Sequence, residues 1–328
     1  MDLDHRRELK AAAAQSLRQC EFSPKKLVLI YAGAQLGLSL LVSLLSYFLD
    51  LRADSASGLS GIASYSVLAT VQSVLSLAQM LVVPFWAMGY RFAVLQIADG
   101  RQARPASLLE GFRRFGPTFR LKLLEGLLYF AVCLVGVYVG TMIFTFTPLA
   151  APLYEAIMPY ADAAVLDEAA LLELEAVLYE AMAECILPII AIVGGVCLLL
   201  LAPIFYRFRM ADFCLLDAPG MGALRALGQS ARLLKRKKWK LFRLDLSFWW
   251  YYLLVVASLA VCYADLFAQE LGISLPVDAR VASLLCIALY CLCTLALSWW
   301  RENEVSATYA VAYLTLKREA QLPINPNR

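Results

Sequence analysis

Six stretches of the chain, each at least 19 residues long, contain no Asp, Glu, Lys or Arg. A bilayer core needs about 20 apolar residues per helical span, so each run is long enough to cross. Read as helices, they place spans near 27–49, 65–90, 122–147, 186–206, 245–265 and 281–300. Composition excludes the soluble alternative. The chain is 61% hydrophobic and 17% charged, against about 45–50% and about 25% in soluble domains. A transmembrane barrel would need alternating segments of about ten residues, and none occurs. The expected fold is therefore all-α, a polytopic membrane helix bundle whose backbone polar groups are satisfied within each span.

Charge distribution sets the expected orientation. With the N-terminus inside, 27 of the 29 Lys and Arg residues lie on one side, all but Arg52 and Arg280. The positive-inside rule makes that side cytoplasmic, with both termini there. Trp249, Trp250, Trp299 and Trp300 then fall near the cytoplasmic ends of spans five and six, as interfacial anchors do. The first apolar run is too long for a signal-peptide core and has no small-residue cleavage site after it, so it is expected to stay as a membrane anchor. Cys133, Cys197, Cys286, Cys291 and Cys293 lie within spans, where Cys acts as a small apolar residue, and no disulfide framework is expected.

No linker or low-complexity segment divides the chain. Residues 1–328 read as a single membrane domain: a cytoplasmic amphipathic helix over 1–26, a six-span bundle over 27–300, and a cytoplasmic tail over 301–328. In the first helix Leu9, Ala13, Leu17 and Cys20 share one face, with Arg6, Arg7, Lys10 and Arg18 on the rest; it suits either the membrane surface or the underside of the bundle. Residues 155–184 hold eight acidic residues and no basic one, and read as an external helix. The leading expectation is a solvated helix, acidic because basic residues are excluded outside; the alternative is that its apolar face (Val165, Ala169, Leu172, Ala176, Tyr179, Ala183) rests on the bundle or on a protein partner.

The two large cytoplasmic loops echo each other at an offset of 118 residues: Arg91 with Arg209, Asp99 with Asp217, Lys122 with Lys240, Phe130 with Phe248. This pattern suggests a duplicated hairpin, each copy carrying an amphipathic interfacial helix. In the first, Ser107 and Glu110 form a capping box, Leu108, Phe112 and Phe115 the apolar stripe, and Gly116-Pro117 the end. In the second, Met221, Leu224, Leu227, Ala231 and Leu234 line one face, with Arg225, Gln229 and Arg232 opposite.

Arg7-Glu-Leu-Lys10 with Ala14 and Leu17, Ser230 with Leu234-Lys235, and Lys240-Leu-Phe-Arg-Leu-Asp-Leu-Ser-Phe248-Trp249 resemble a bacterial membrane family, domain of unknown function 975. Tyr309-Ala-Val-Ala-Tyr313 resembles its closing segment. The resemblance implies a multi-pass protein of a bacterial inner membrane and supplies no catalytic or binding residues. The acidic insert at 155–184 lies outside the family pattern.

Enzyme signatures are missing. His5 is the only histidine, so no His-based zinc site or Ser-His dyad can be assembled. No Cys-x-x-Cys, P-loop or Gly-x-Ser-x-Gly occurs. Neither catalytic residues nor a cofactor nor a metal site is expected. Polar residues in or near the spans (Gln35, Gln72, Gln79, Arg91, Glu125, Arg209 and Asp245) are candidates for a substrate path or for interfacial anchoring and interhelical bonds. Lys122 and Arg243 are the nearest charges to Glu125 and Asp245. Gly33-x-x-x-Gly37 and Gly136-x-x-x-Gly140 suit close helix packing, within the chain or, for span one, between copies. Gly194-Gly195 with Pro203 offers a hinge.

Arg225, Arg232, Lys235, Arg236, Lys237, Lys238 and Lys240 face the cytoplasmic leaflet, where each charge adds about 1 kcal/mol of attraction to anionic lipid headgroups. Nucleic acid is a poor partner for a patch already beside membrane phosphates. The leading expectation is a non-enzymatic organising or accessory factor resting basic helices on that leaflet. The alternative is a transporter or permease component for a small molecule or lipid, which requires a polar cavity at mid-bilayer lined by Gln35, Gln72 or Gln79.

Overall fold

The computed structural model describes residues 5–54, 59–160, 168–264 and 279–320. All secondary structure among them is helical. Thirteen α-helices are described: α1 Arg6–Arg18, α2 Pro24–Asp54, α3 Leu59–Ala98, α4 Glu110–Arg113, α5 Phe115–Thr145, α6 Ala151–Ile157, α7 Glu168–Phe208, α8 Ala211–Asp217, α9 Ala223–Leu233, α10 Lys238–Leu246, α11 Trp249–Cys262, α12 Ala279–Leu297 and α13 Asn303–Glu319. Five helical segments are long and apolar enough to cross a membrane, and six if the α10–α11 pair counts as one broken span. That pair is bent by 68°. The fifth expected span, 245–265, is thus a 14-residue helix after a sharp break, and Asp265 lies outside the described residues.

The chain divides into two compact units, residues 1–122 with 210–328, and residues 123–209. In the first, α2 packs on α3 and α12, α11 on α12, and α13 on α1 and α3. The segment expected as a tail is largely buried in this unit. Ala307, Ala310, Ala312 and Tyr313 of α13 have no exposed surface. Three of the four are alanines, so neighbouring backbones approach closely. A π-helical turn at Ser298–Glu302 joins α12 to α13 and changes the helical register between them. Helix α1 takes the underside position rather than a free membrane surface: Leu9 and Ala13 are fully buried, while Leu17 and Cys20 are half-buried.

The loop after α3 departs from expectation in detail. A 3-10 turn over Pro105–Leu109 precedes α4, so Ser107 sits inside the turn and not at its cap; its Oγ donates to Gln96 Oε1 at 2.8 Å. Gly116-Pro117 does not end a helix. The break falls at Arg114 (φ −102°, ψ 41°), and Pro117 lies in the first turn of α5, where a missing N–H costs nothing. Glycine is required at two places here: a Cβ on Gly89 would overlap the Leu108 carbonyl, and one on Gly111 the Phe85 carbonyl.

The second loop repeats the plan. Gly100 and Gly220, both with positive φ, turn the chain before each short helix, and α9 begins 118 residues after Pro105. Its buried face is Ala223, Ala226, Leu227, Ser230 and Leu233, packed against α8. The expected stripe is therefore rotated, since Leu224 is exposed and Met221 and Ala231 are only half-buried.

In the second unit, α7 is one helix of 41 residues, about 60 Å at 1.5 Å per residue, twice the hydrocarbon thickness. The acidic segment is therefore not a separate helix: from Glu168 it runs unbroken into the fourth span. Residues 161–167 lie outside the described part. The α7 side that packs is Ala181, Cys185, Ile189 and Ile192, against Phe144, Ala150 and Leu153. Leu172, Ala176, Tyr179 and Ala183 are exposed, as in a solvated helix and not as in one whose apolar face rests on a neighbour; Val165 and the Ala169 side chain lie outside the described part. The helix is also continuous through Gly194-Gly195. Gly136 and Gly140 seat α5 against α7, where a Cβ would come within 2.7 Å of Cys197 Sγ and 2.8 Å of Val193 Cα. Nothing lies within 4 Å of either corresponding position at Gly33 and Gly37.

Candidate functional site

The basic run forms one surface on α9, a tight turn and α10. Arg225, Arg232, Lys235 and Arg236 are exposed, and Lys237, Lys238 and Lys240 half-buried. Arg236 turns the chain with φ +64°. Lys237 pairs with Glu319 of α13 and so belongs to the fold as well as to the surface. Among the described residues no carboxylate pairs with Arg225, Arg232, Lys235, Arg236 or Lys238. Trp239, 67% exposed, and Leu224, 72% exposed, stand among these cations, with Trp239 stacked on Phe242 at 4.9 Å. An exposed indole between ammonium and guanidinium groups suits a headgroup layer, where the ring is amphipathic and the charges meet phosphates.

Behind this surface lie two buried carboxylates. Asp212 of α8 is paired with Arg91 of α3 and with Lys122 of α5, whose Nζ lies 2.7 and 2.9 Å from its oxygens. Asp217, also on α8, pairs with Lys317 of α13, and both side chains are buried. Lys122 is engaged by Asp212, a residue not singled out by sequence reasoning. Glu125 is buried, Asp245 half-buried on α10, and the Arg209 guanidinium sits 4.7 Å from the Phe205 ring centroid.

A cavity of about 550 Å³ opens between α1, the α10–α11 break and the π-helical turn. At the break Lys10 Nζ donates to the Ser247 carbonyl at 2.9 Å and lies 3.8 Å from the Phe248 ring centroid. Arg301, paired with Glu304, forms the opposite wall. Burial, and then repulsion from Arg301 and Arg6, lower the Lys10 pKa. Trp250 and Trp300, both more than half exposed, flank the mouth. Deeper, Tyr31 stacks on Tyr90 at 4.4 Å, Tyr90 donates to Asn303 Oδ1 at 2.9 Å, and Asn303 donates to the Pro24 carbonyl at 2.9 Å. This chain of bonds ties α2, α3 and α13 together.

The polar residues of the spans form a seam on α2 and α3. Gln79 Nε2 donates to Ser39 Oγ at 2.6 Å, and Ser39 in turn donates to the Gln35 carbonyl at 3.2 Å. Gln35 contributes its backbone here. Gln72 is exposed and lines a groove of about 420 Å³ with Ser43, Ser46, Tyr47, Ser76 and Ser283. Among the described residues no group of three or more His, Cys, Asp or Glu is placed to hold a metal ion, and all nine cysteines are free thiols.

Lys10, Asp212, Arg301 and Lys317 are the side chains whose placement was not foreseen. Sequence spacing identifies Lys10 only as a charge on the first helix, and Arg301 and Lys317 only as parts of a polar tail. A signal for α13 was present in Ala307, Ala310 and Ala312, a small-residue pattern that favours close packing. The family described as "Protein of unknown function (DUF975)" matches residues 1–296. The match includes the acidic segment and stops before Tyr309–Tyr313. Comparison with curated proteins and with solved structures finds no match.

Proposed function

We propose, starting from a chain that belongs to the DUF975 family of proteins of unknown function, that it is a non-enzymatic accessory factor of a bacterial cell membrane that organises anionic lipid at the cytoplasmic leaflet. Both termini and the α9–α10 surface then face the cytoplasm, in line with the 27 to 2 division of basic residues. The observation that carries the reading is the α9–α10 surface itself, with exposed Trp239 and Leu224 set among Arg225, Arg232, Lys235, Arg236 and Lys238, with which no carboxylate among the described residues pairs. Four such charges at about 1 kcal/mol each give roughly a thousandfold preference for an anionic over a neutral surface at low salt. Replacing Arg225, Arg232, Lys235 and Lys238 with Gln spares Lys237 and its Glu319 contact, so folding is retained. The test is binding of purified protein to phosphatidylglycerol and phosphatidylcholine nanodiscs at low salt and at about 1 M, where the Debye length is about 3 Å. The reading requires a large salt-sensitive preference in wild type that the variant loses, and equal binding by both proteins refutes it.

A transporter component is the second reading, supported by the hydroxyl and amide groove around Gln72. Cysteines placed at Ser43 and Ser76 in a cysteine-free background separate the two. Alternating access requires labelling by a membrane-impermeant thiol reagent from both sides, whereas an accessory factor is labelled from one side at most.

A further inference from the structure

We infer that the cavity bounded by α1, the α10–α11 break and the π-helical turn is a discrete binding site for one singly charged phosphodiester headgroup, held between Lys10 and Arg301. The inference rests on the leaflet-facing placement proposed above and adds a stoichiometric site distinct from the α9–α10 surface.

Two interruptions of regular helix build the site. The 68° bend between α10 and α11 frees the Ser247 carbonyl from its helix, and that carbonyl anchors the Lys10 ammonium at 2.9 Å. The π-helical turn carries Trp300 and Arg301 to the facing wall. Lys10 has three N–H donors and Arg301 five; among the described residues Lys10 donates to the Ser247 carbonyl and lies over the Phe248 ring, and Arg301 pairs with Glu304 and lies 5.0 Å from the Trp300 ring centroid. Donors therefore remain for an incoming anion.

The charge of the lining selects the ligand class. Lys10 and Arg301 supply two positive charges and Glu304 one negative, leaving +1 in the wall. A phosphodiester carries −1 and neutralises it. A phosphomonoester near −2 overcompensates, and a zwitterionic headgroup leaves the charge unbalanced. Repulsion of Lys10 by Arg301 and Arg6 is relieved by an anion between them. The mouth argues for a lipid and not a free ester: Trp250 and Trp300 are 60% and 57% exposed and lead onto the apolar flank of α11, where Leu253 and Leu254 are also exposed. Acyl chains continue along that flank while the headgroup sits inside. At about 550 Å³ the cavity is within the range of small-ligand pockets, about 300–1,000 Å³.

The experiment is native mass spectrometry of the full chain released from detergent containing phosphatidylglycerol, phosphatidylcholine or glycerophosphoglycerol, a soluble phosphodiester, at a salt concentration that strips the α9–α10 surface. Wild type is expected to keep one phosphatidylglycerol. Arg301→Gln should weaken retention about tenfold or more, as should Ala14→Phe, which fills the cavity from α1 without changing charge. Lys10→Arg keeps the cation and should retain the lipid, separating loss of binding from loss of fold. The four-Gln variant of α9–α10 should still hold its one lipid, so failure of this site and failure of the surface reading give different patterns. Equal retention by wild type, Arg301→Gln and Ala14→Phe overturns the proposal, as does equal retention of phosphatidylcholine. Displacement by glycerophosphoglycerol at concentrations matching the lipid overturns the lipid assignment in favour of a soluble phosphodiester.

Discussion

Lys317→Met removes one partner of the ion pair that ties the last turn of α13 to the end of α8. Both side chains are nearly buried, 8% and 7% exposed, so water cannot replace the lost contact. Removing one member of a buried pair costs about 3–5 kcal/mol, because the remaining charge loses a close opposite charge in a low dielectric. Unfolding entropy of about 2.1 cal/mol/K per residue amounts to about 0.7 kcal/mol/K for 328 residues. The single substitution should therefore lower Tm by about 4–7 °C. Replacing both partners, Asp217→Leu with Lys317→Met, removes the stranded carboxylate along with the ammonium, and an apolar pair of similar volume is often neutral or better. The double variant should return to within about 2 °C of wild type. Thermal unfolding in one fixed detergent, followed by intrinsic fluorescence, measures all four corners of the cycle. Loss of less than about 1 °C in Lys317→Met, or a double variant as unstable as the sum of the singles, would show that the α8–α13 contact does not carry buried charge and would refute the reasoning.

The close approach of the Pro105–Arg113 segment to α3 predicts that Gly89→Ala and Gly111→Ala each destabilise by about 1–3 kcal/mol, since the obstructing atoms are backbone carbonyls; Gly116→Ala, with open space around it, should be silent in the same unfolding assay. Arg236→Gly relieves a left-handed backbone conformation and should raise Tm by about 1–2 °C, from about 1 kcal/mol of strain, even as one surface charge is lost; a fall in Tm would assign the Arg236 side chain a structural role. Cysteines introduced at Met158 and Tyr179, 72% and 81% exposed, should react with an impermeant reagent on intact cells, and one at Leu224 only after permeabilisation; the reverse pattern would invert the orientation.

What was legible from the sequence follows from how lipid restricts the backbone. Uncharged runs of bilayer length must be helical, because nothing in hydrocarbon satisfies an open N–H or C=O, so the all-α architecture and most spans could be read directly. Pairing of α5 with α7 through Gly136 and Gly140 was legible for a similar reason, since glycines four residues apart remove the side chains that hold helices apart. Charge partners were not legible. Lys122 pairs with Asp212, 90 positions distant in sequence. Local spacing names possible partners, and only packing decides which is desolvated beside the cation. The polar end of the chain misled for the opposite reason. Residues 301–319 carry enough Arg, Lys and Glu to resemble a solvated tail, but α13 is buried because Lys317 finds Asp217 and Lys237 finds Glu319, both contacts made across the fold. The cavity beside Lys10 belongs to the same class: a broken helix, a π-helical turn and the N-terminal helix meet there, and their convergence is set by tertiary packing, which periodicity along a single helix does not encode.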